Sequence, residues 1–292
     1  MIILDGGTGT LIQALGAPMS GDTWCAEVNL THPDIVRQAH RDYLAAGAEV
    51  LIANTYATSP LLFNHLGRDA DVGLIDGAAM RLAREVSDGS VPVAGSFSVM
   101  RPGIAGSDRS EFHREWPESE ARRLFAAKAI GLAEAGADVI AMEIMRDGDY
   151  SVWATEAAVA TGLPVWVGIS VEEDQDGRLT GFGRPQWLLD DFLEPLVRCA
   201  PAMVTVMHTS PPVTTRALEA VRAHWHGSLG AYSESGYFAM PDWQFIDIIP
   251  ADEYADLAAQ WAASFDLSMV GGCCGMGPAH IAALRHAFPT AS

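Results

Sequence analysis

One short pattern occurs twice and dictates most of what this chain can become. Residues 45–54 read AAGAEVLIAN and residues 134–143 read EAGADVIAME. In each, a helical stretch ends, a glycine stops it, and a short apolar strand follows and closes on a polar residue. Gly47 and Gly136 suit the left-handed position that ends a helix. The segments ahead of them, DIVRQAHRDYLAAG and SEARRLFAAKAIGLAEAG, space apolar residues at helical intervals. Repetition of helix, glycine and apolar strand predicts parallel strands joined by helices.

Eight short apolar segments fit this plan: Ile2–Leu4, Val50–Asn54, Val91–Phe97, Val139–Glu143, Val165–Val171, Met203–His208, Leu229–Ser233 and Leu267–Gly272. Most are separated by a stretch long enough for a helix. The pattern predicts an α/β chain folded as a single (β/α)8 TIM barrel. A doubly wound open sheet is the alternative. No Pro- or Ser-rich linker divides the chain, so residues 1–292 read as one domain. Residues 98–117 and 172–190 read as long loops. A barrel carries its active site at the C-terminal strand ends. Here those ends hold Asp5-Gly6-Gly7, Asn54-Thr55, Ser96, Glu143, Ser170, His208, Ser233-Glu234 and Cys273-Cys274.

Composition narrows the partners. Acidic residues outnumber basic ones 37 to 18, and a net charge of −19 disfavours nucleic acid and anionic membrane surfaces. The start MIILDGG lacks a basic segment followed by an apolar run, so no secretory signal is expected. No run of about 18 apolar residues predicts a membrane span. Four cysteines in 292 residues make no disulfide scaffold, and a cytoplasmic location is expected.

Two of those cysteines are adjacent, in Met269-Val270-Gly271-Gly272-Cys273-Cys274-Gly275-Met276-Gly277-Pro278. Successive strand residues point to opposite faces, so both thiols can meet one metal only where the backbone leaves the strand. Glycines permit that departure. Pro278 suits the first turn of a following helix, whose N-terminus favours thiolate. A catalytic zinc takes three protein ligands, and His208, closing the strand Met203–Met207, is the best third candidate. The other histidines, among them His40, His113 and His280, fall in helical or loop contexts. Cys25 and Cys199 read as ordinary buried thiols.

These residues resemble the homocysteine S-methyltransferase family over nearly the whole chain. The likeness rests on LDGGTGT (Leu4–Thr10), Trp24 with Glu27, HRDYLAAGAEVLIANTY (His40–Tyr56), AGADVIAMEI (Ala135–Ile144) and GGCCGMGPAHI (Gly271–Ile281). The resemblance implies a (β/α)8 barrel with thiolate-bound Zn2+, moving a methyl group from a small donor to homocysteine and giving methionine. It implies that Glu143 holds the homocysteine ammonium at the reacting centre. It further implies that Asp5, Gly6 and Thr8 receive the amino-acid head and that Trp24 lies near substrate. Cys273, Cys274 and His208 would ligate the metal.

The chain departs from the family pattern at named positions. His208 stands where a cysteine ligand is usual, Met207 where an asparagine is usual, and Glu234 near another usual asparagine. Leu11 and Ile144 replace polar residues at the acceptor head. Three thiolates on Zn2+ sum to −1, whereas two thiolates and a neutral imidazole sum to 0. That balance eases thiol ionisation but weakens the nucleophile, so a reactive sulfonium donor such as S-methylmethionine or S-adenosylmethionine is expected. Tyr232 and Glu234 are further candidates to face a cationic donor. Two other readings stand beside this one: the same chemistry on a different thiol or selenol, and a non-catalytic ligand-binding barrel. Oligomeric state is left open.

Overall fold

The computed structural model describes residues 1–102, 115–239 and 244–289. Most of the expected loop 98–117, with His113, lies outside the described residues. Eight strands form the central sheet: β1 (Ile2–Ile3), β2 (Leu51–Ala53), β3 (Val93–Ser98), β4 (Val139–Met145), β5 (Val165–Ile169), β6 (Met203–Met207), β7 (Ser228–Tyr232) and β8 (Met269–Val270). All pair in parallel, in the order β1-β8-β7-β6-β5-β4-β3-β2. From β2 to β8 each strand lies beside its sequence neighbour, so the order never reverses. A doubly wound sheet requires a reversal, and that alternative is excluded. The sheet curls until its edges β1 and β2 meet at a single parallel bridge, Leu4 to Val50.

The repeated glycine pattern does what its residues require. Helix Pro33–Ala45 ends ahead of Gly47 at φ 99°, and helix Glu118–Glu134 ahead of Gly136 at φ 88°. The acid that follows has a second, shared use. Glu49 accepts the Ile3 N–H at 2.9 Å, and Asp138 accepts the Val93 N–H at 2.8 Å. Each carboxylate thus satisfies a donor at the start of a neighbouring strand, where no ladder partner exists.

Alternation along the strands sorts the core. On β4, Val139 and Ala141 face the inside of the curl with Leu4, Ile52 and Met269. Ile140 and Met142 face the helices. The expected loop 172–190 is instead a three-stranded antiparallel sheet, Val171–Glu173, Leu179–Gly181 and Arg184–Leu188. Its first turn closes because Asp174 Oδ1 accepts the Asp176 and Arg178 N–H groups at 2.9 Å each. The expected strand Val165–Val171 divides at Ser170, whose N–H bonds Met145 and whose carbonyl accepts from Phe182. Cys199, expected buried, is half-buried at the C-cap of helix Leu189–Arg198. No helix among the described residues is long and apolar enough to cross a membrane.

A buried ion pair holds the rim segment after β2. Lys128 Nζ lies 2.7 and 2.8 Å from the two Asp76 oxygens and donates to the carbonyls of Thr55 and Thr58. Burial pushes the Asp76 carboxyl up and the Lys128 ammonium down, so desolvation outweighs their attraction. Lys128→Met strands a buried carboxylate and is expected to cost about 3–5 kcal/mol in urea denaturation. Lys128→Met with Asp76→Leu should recover part of that loss. A double variant no more stable than the single one would show that the carbonyl contacts, not the lone charge, dominate.

Candidate metal centre

The thiol loop is held by backbone bonds to two other strand ends. Gly272 N–H donates to the Asp5 carbonyl at 3.1 Å, and Gly7 N–H donates to the Met276 carbonyl at 3.0 Å. Cys273 N–H donates to Ser233 at 2.9 Å, and Ser235 N–H donates to Cys274 at 3.1 Å. The DGG loop can approach this closely only without side chains: a Cβ on Gly6 would lie 2.3 Å from the Met276 carbonyl oxygen. Gly275, at φ 79°, turns the chain out of the strand. Pro278 then opens helix Pro278–Ala287, and His280 is spent there, accepting the Gly277 N–H and contacting the Ile249 carbonyl.

His208, Cys273 and Cys274 come together. Their ligand atoms lie within 4.8 Å of one another. His208 Nδ1 is 3.7 Å from Cys273 Sγ, and the two sulfurs are 4.0 Å apart. Ligand atoms on one tetrahedral Zn2+ sit roughly 3.5–3.8 Å apart, given Zn–N of about 2.0 Å and Zn–S of about 2.3 Å. The donor set and its spacing therefore fit such an ion. His208 reaches the cluster because it adopts a left-handed conformation, φ 42°, at the end of β6. Its ring is backed by Phe182 from the inserted sheet, edge-on at 4.8 Å between centroids. Cys274 beside it and His208 hold the Cys273 thiol below its ordinary range, against the effect of burial. Burial presses the His208 imidazole down, but Glu234 and Cys273 raise it well above its usual value.

Glu143 lies within the field of Cys273. A bulge places it there: Met142 and Met145 of β4 oppose Val167 and Ile169 of β5, and Ile144 takes φ 55°. The Glu143 carboxylate accepts from Ser96 Oγ and sits beside the Tyr232 hydroxyl. Burial first, then the Cys273 charge, pushes its pKa up to about 7. Asp5 is fully buried; its Oδ2 accepts the Ile52 N–H at 2.7 Å, while Oδ1 has no partner among the described residues. Thr8 Oγ1 is likewise buried without a partner. Trp24 packs on Gly9, next to Thr8, and lies edge-on to Tyr56 at 6.3 Å. Phe182 was not anticipated from the sequence, because it arrives on the segment read as loop.

The chain as a whole is similar to known proteins. The family model described as homocysteine S-methyltransferase matches residues 2–288. The homocysteine S-methyltransferase of Escherichia coli is 29% identical over 308 residues, covering 98% of this chain and 94% of that protein. Betaine–homocysteine S-methyltransferase 1 of Bos taurus is 26% identical over 312 residues, covering 97% and 71%. The crystal structure of the Escherichia coli homocysteine methyltransferase in metallated form shares the fold, with a TM-score of 0.76 at 22% identity over 98% and 96% of the two chains.

Glu143 carries a pH signature. Its folded pKa is raised from 4.5, so its contribution is fully present below pH 4.5 and lost as pH rises through about 7. In the metal-free, reduced protein, Glu143→Gln should gain about 3 kcal/mol relative to wild type between pH 4 and pH 8. Urea denaturation at the two pH values measures this, and an equal difference at both would show an unshifted carboxyl.

Proposed function

From the premise that the chain belongs to the homocysteine S-methyltransferase family, we propose a zinc-dependent enzyme that methylates homocysteine, giving methionine, from a sulfonium donor. One observation carries the reading: His208, Cys273 and Cys274 converge beside a buried glutamate. We read the curled sheet as a (β/α)8 barrel closed at Leu4 and Val50, with residues 1–292 as one homocysteine-binding domain. The cytoplasm suits four cysteines that form no disulfide.

His208 Nδ1, Cys273 Sγ and Cys274 Sγ would hold Zn2+, which supplies a thiol ionised and nucleophilic at neutral pH. The chain does the rest. Glu143 takes the substrate ammonium, and its own raised pKa falls on binding that charge. Asp5 Oδ1 and Thr8 Oγ1 offer unpartnered polar atoms to the amino-acid head, beside the close-packed Gly6. Trp24 backs Tyr56 at the rim, and Phe182 shields His208 from water. The methyl carbon forms a bond to the homocysteine sulfur as its bond to the donor sulfur breaks. The electron pair stays on the donor, whose sulfonium becomes a neutral thioether, and the thiol proton goes to solvent. A donor set of two thiolates and an imidazole carries less negative charge than three thiolates. It therefore favours a sulfonium over the less reactive betaine.

Zinc stoichiometry on freshly reduced protein tests the site. One zinc per chain is expected for wild type, with zinc and methionine formation from S-methylmethionine both lost or weakened in His208→Ala. Zinc bound equally well by the variant would place the third ligand elsewhere. Betaine should support slower turnover than S-methylmethionine; equal or faster turnover would refute the sulfonium preference. Glu143→Gln should raise the KM for homocysteine at least tenfold, since it removes a charged partner of the ammonium.

A further inference from the structure

Met207 ends β6 and lies buried inside the curl with Ile144 and Tyr232, Cys273 packing at the edge of the same cluster. β6 and β4 are not neighbours, because β5 runs between them. The Met207 side chain nevertheless crosses to β4, and β5 offers no side chain where it crosses. A Cβ on Gly168 would lie 2.8 Å from Met207 Cγ and 2.8 Å from the Tyr232 hydroxyl. At the end of this path Met207 Sδ accepts the Ile144 N–H at 3.3 Å.

The position of that N–H gives the contact its meaning. It belongs to the peptide unit that joins Glu143 to Ile144. Pairing of β4 with β5 lapses after Met142 and resumes at Met145, so this unit falls in the gap on that side. Ile144 also holds φ 55°, which a β-branched residue rarely adopts and keeps only where its surroundings hold it. Ser96 and Tyr232 orient the Glu143 carboxylate. Neither holds the backbone from which it projects. A thioether sulfur accepts a hydrogen bond, if weakly, and has no proton to give.

We infer that Met207 is a positioning residue for the acceptor amino acid: its sulfur fixes the Glu143–Ile144 peptide unit and so sets where the carboxylate meets the substrate ammonium. The inference rests on the reading of Glu143 as the partner of that ammonium. Met207 acts through the peptide and need not touch the substrate. Met and Asn, the residue usual at this position, both carry an acceptor the same number of bonds from Cα, whereas Leu carries a methyl group there. The departure from Asn therefore loses polarity but keeps the lone pair that the peptide requires.

Met207→Leu removes the acceptor at nearly constant volume, and Met207→Asn restores one. Circular dichroism checks that both variants are folded, and chelator competition measures their zinc affinity. The KM for homocysteine should rise roughly two- to tenfold in Met207→Leu, the worth of one neutral hydrogen bond, and stay near wild type in Met207→Asn. Neither kcat nor the KM for S-methylmethionine should move, because the ammonium contact is alike in ground and transition states. In a Glu143→Gln background Met207→Leu should add nothing. Hydrogen exchange at the Ile144 amide should be faster in Met207→Leu than in wild type or Met207→Asn. An unchanged homocysteine KM in Met207→Leu overturns the inference. An equal rise in both variants also overturns it, since side-chain shape and not the acceptor would then be the cause. The same rise on top of Glu143→Gln would place Met207 against the substrate itself, and weakened zinc binding in Met207→Leu would assign its effect to His208; either result overturns the inference. If Glu143→Gln alone leaves the homocysteine KM unchanged, the ammonium reading fails, a result distinct from these.

Discussion

Backbone pairing between the first strand and the last two is the constraint on which the site depends. Parallel pairing of Ile2 with Met269 and of Gly230 with Met269 sets β1 and β7 on either side of β8. Beyond the ladder, the same pairing continues as separate bonds: Gly272 to Asp5, Gly7 to Met276, Cys273 to Ser233 and Ser235 to Cys274. Each fixes a segment carrying a polar side chain of the centre. Chain ends some 270 residues apart in sequence therefore meet through main-chain geometry. The glycines around the thiols make this possible in two ways. Gly275 supplies a positive φ, while Gly271 and Gly272 let neighbouring loops approach, a Cβ on Gly272 falling 2.4 Å from Met276 Cβ.

Two side chains of the centre are aimed by irregular backbone. His208 and Ile144 both adopt φ above zero, which a β-branched residue such as Ile144 rarely accepts. Such conformations cost about 1–3 kcal/mol each and persist only where their surroundings hold them. Here the holding groups are visible. His208 N–H donates to the Tyr232 carbonyl at 3.3 Å, and Ile144 N–H contacts Met207 Sδ at 3.3 Å. The bulge that Ile144 ends turns Glu143 toward Ser96 and Tyr232. A regular β4 would alternate faces through this segment and aim the carboxylate differently.

Much of this was legible in the sequence because it lies in period and punctuation. The AGAEV and AGADV repeats mark helix ends and strand starts, and the strands fall where the apolar runs lie. The thiol pair, His208 and Glu143 are readable because strand ends gather on one rim of a curled parallel sheet. What escaped has a common cause: it depends on contacts between distant segments. The inserted sheet at Val171–Leu188 looks like loop in the sequence because its strands are short and mostly polar, with Val171, Leu179, Phe182 and Trp187 scattered among Gly, Asp and Arg. Glu49 and Asp138 look like surface acids until neighbouring strands bring Ile3 and Val93 N–H groups to them. Glu234 reads as one rim residue among several, and its geometry to His208 exists only once β6 and β7 pair.

The concentration of acid at this site is itself an argument about its ligands. Asp5, Glu143 and Glu234 lie with two thiols in one largely buried region. Burial raises both Asp5 and Glu143, and each is raised further by a neighbour: Glu143 by Cys273, and Asp5 by Glu143. Like charges so placed repel, at a cost to the stability of the folded state. A cation bound among these groups would relieve part of the repulsion. Each positive charge bound there makes the neighbouring acids easier to ionise, while positive charges in one field repel one another, so the arrangement favours ligands whose summed charge offsets the acids without exceeding them.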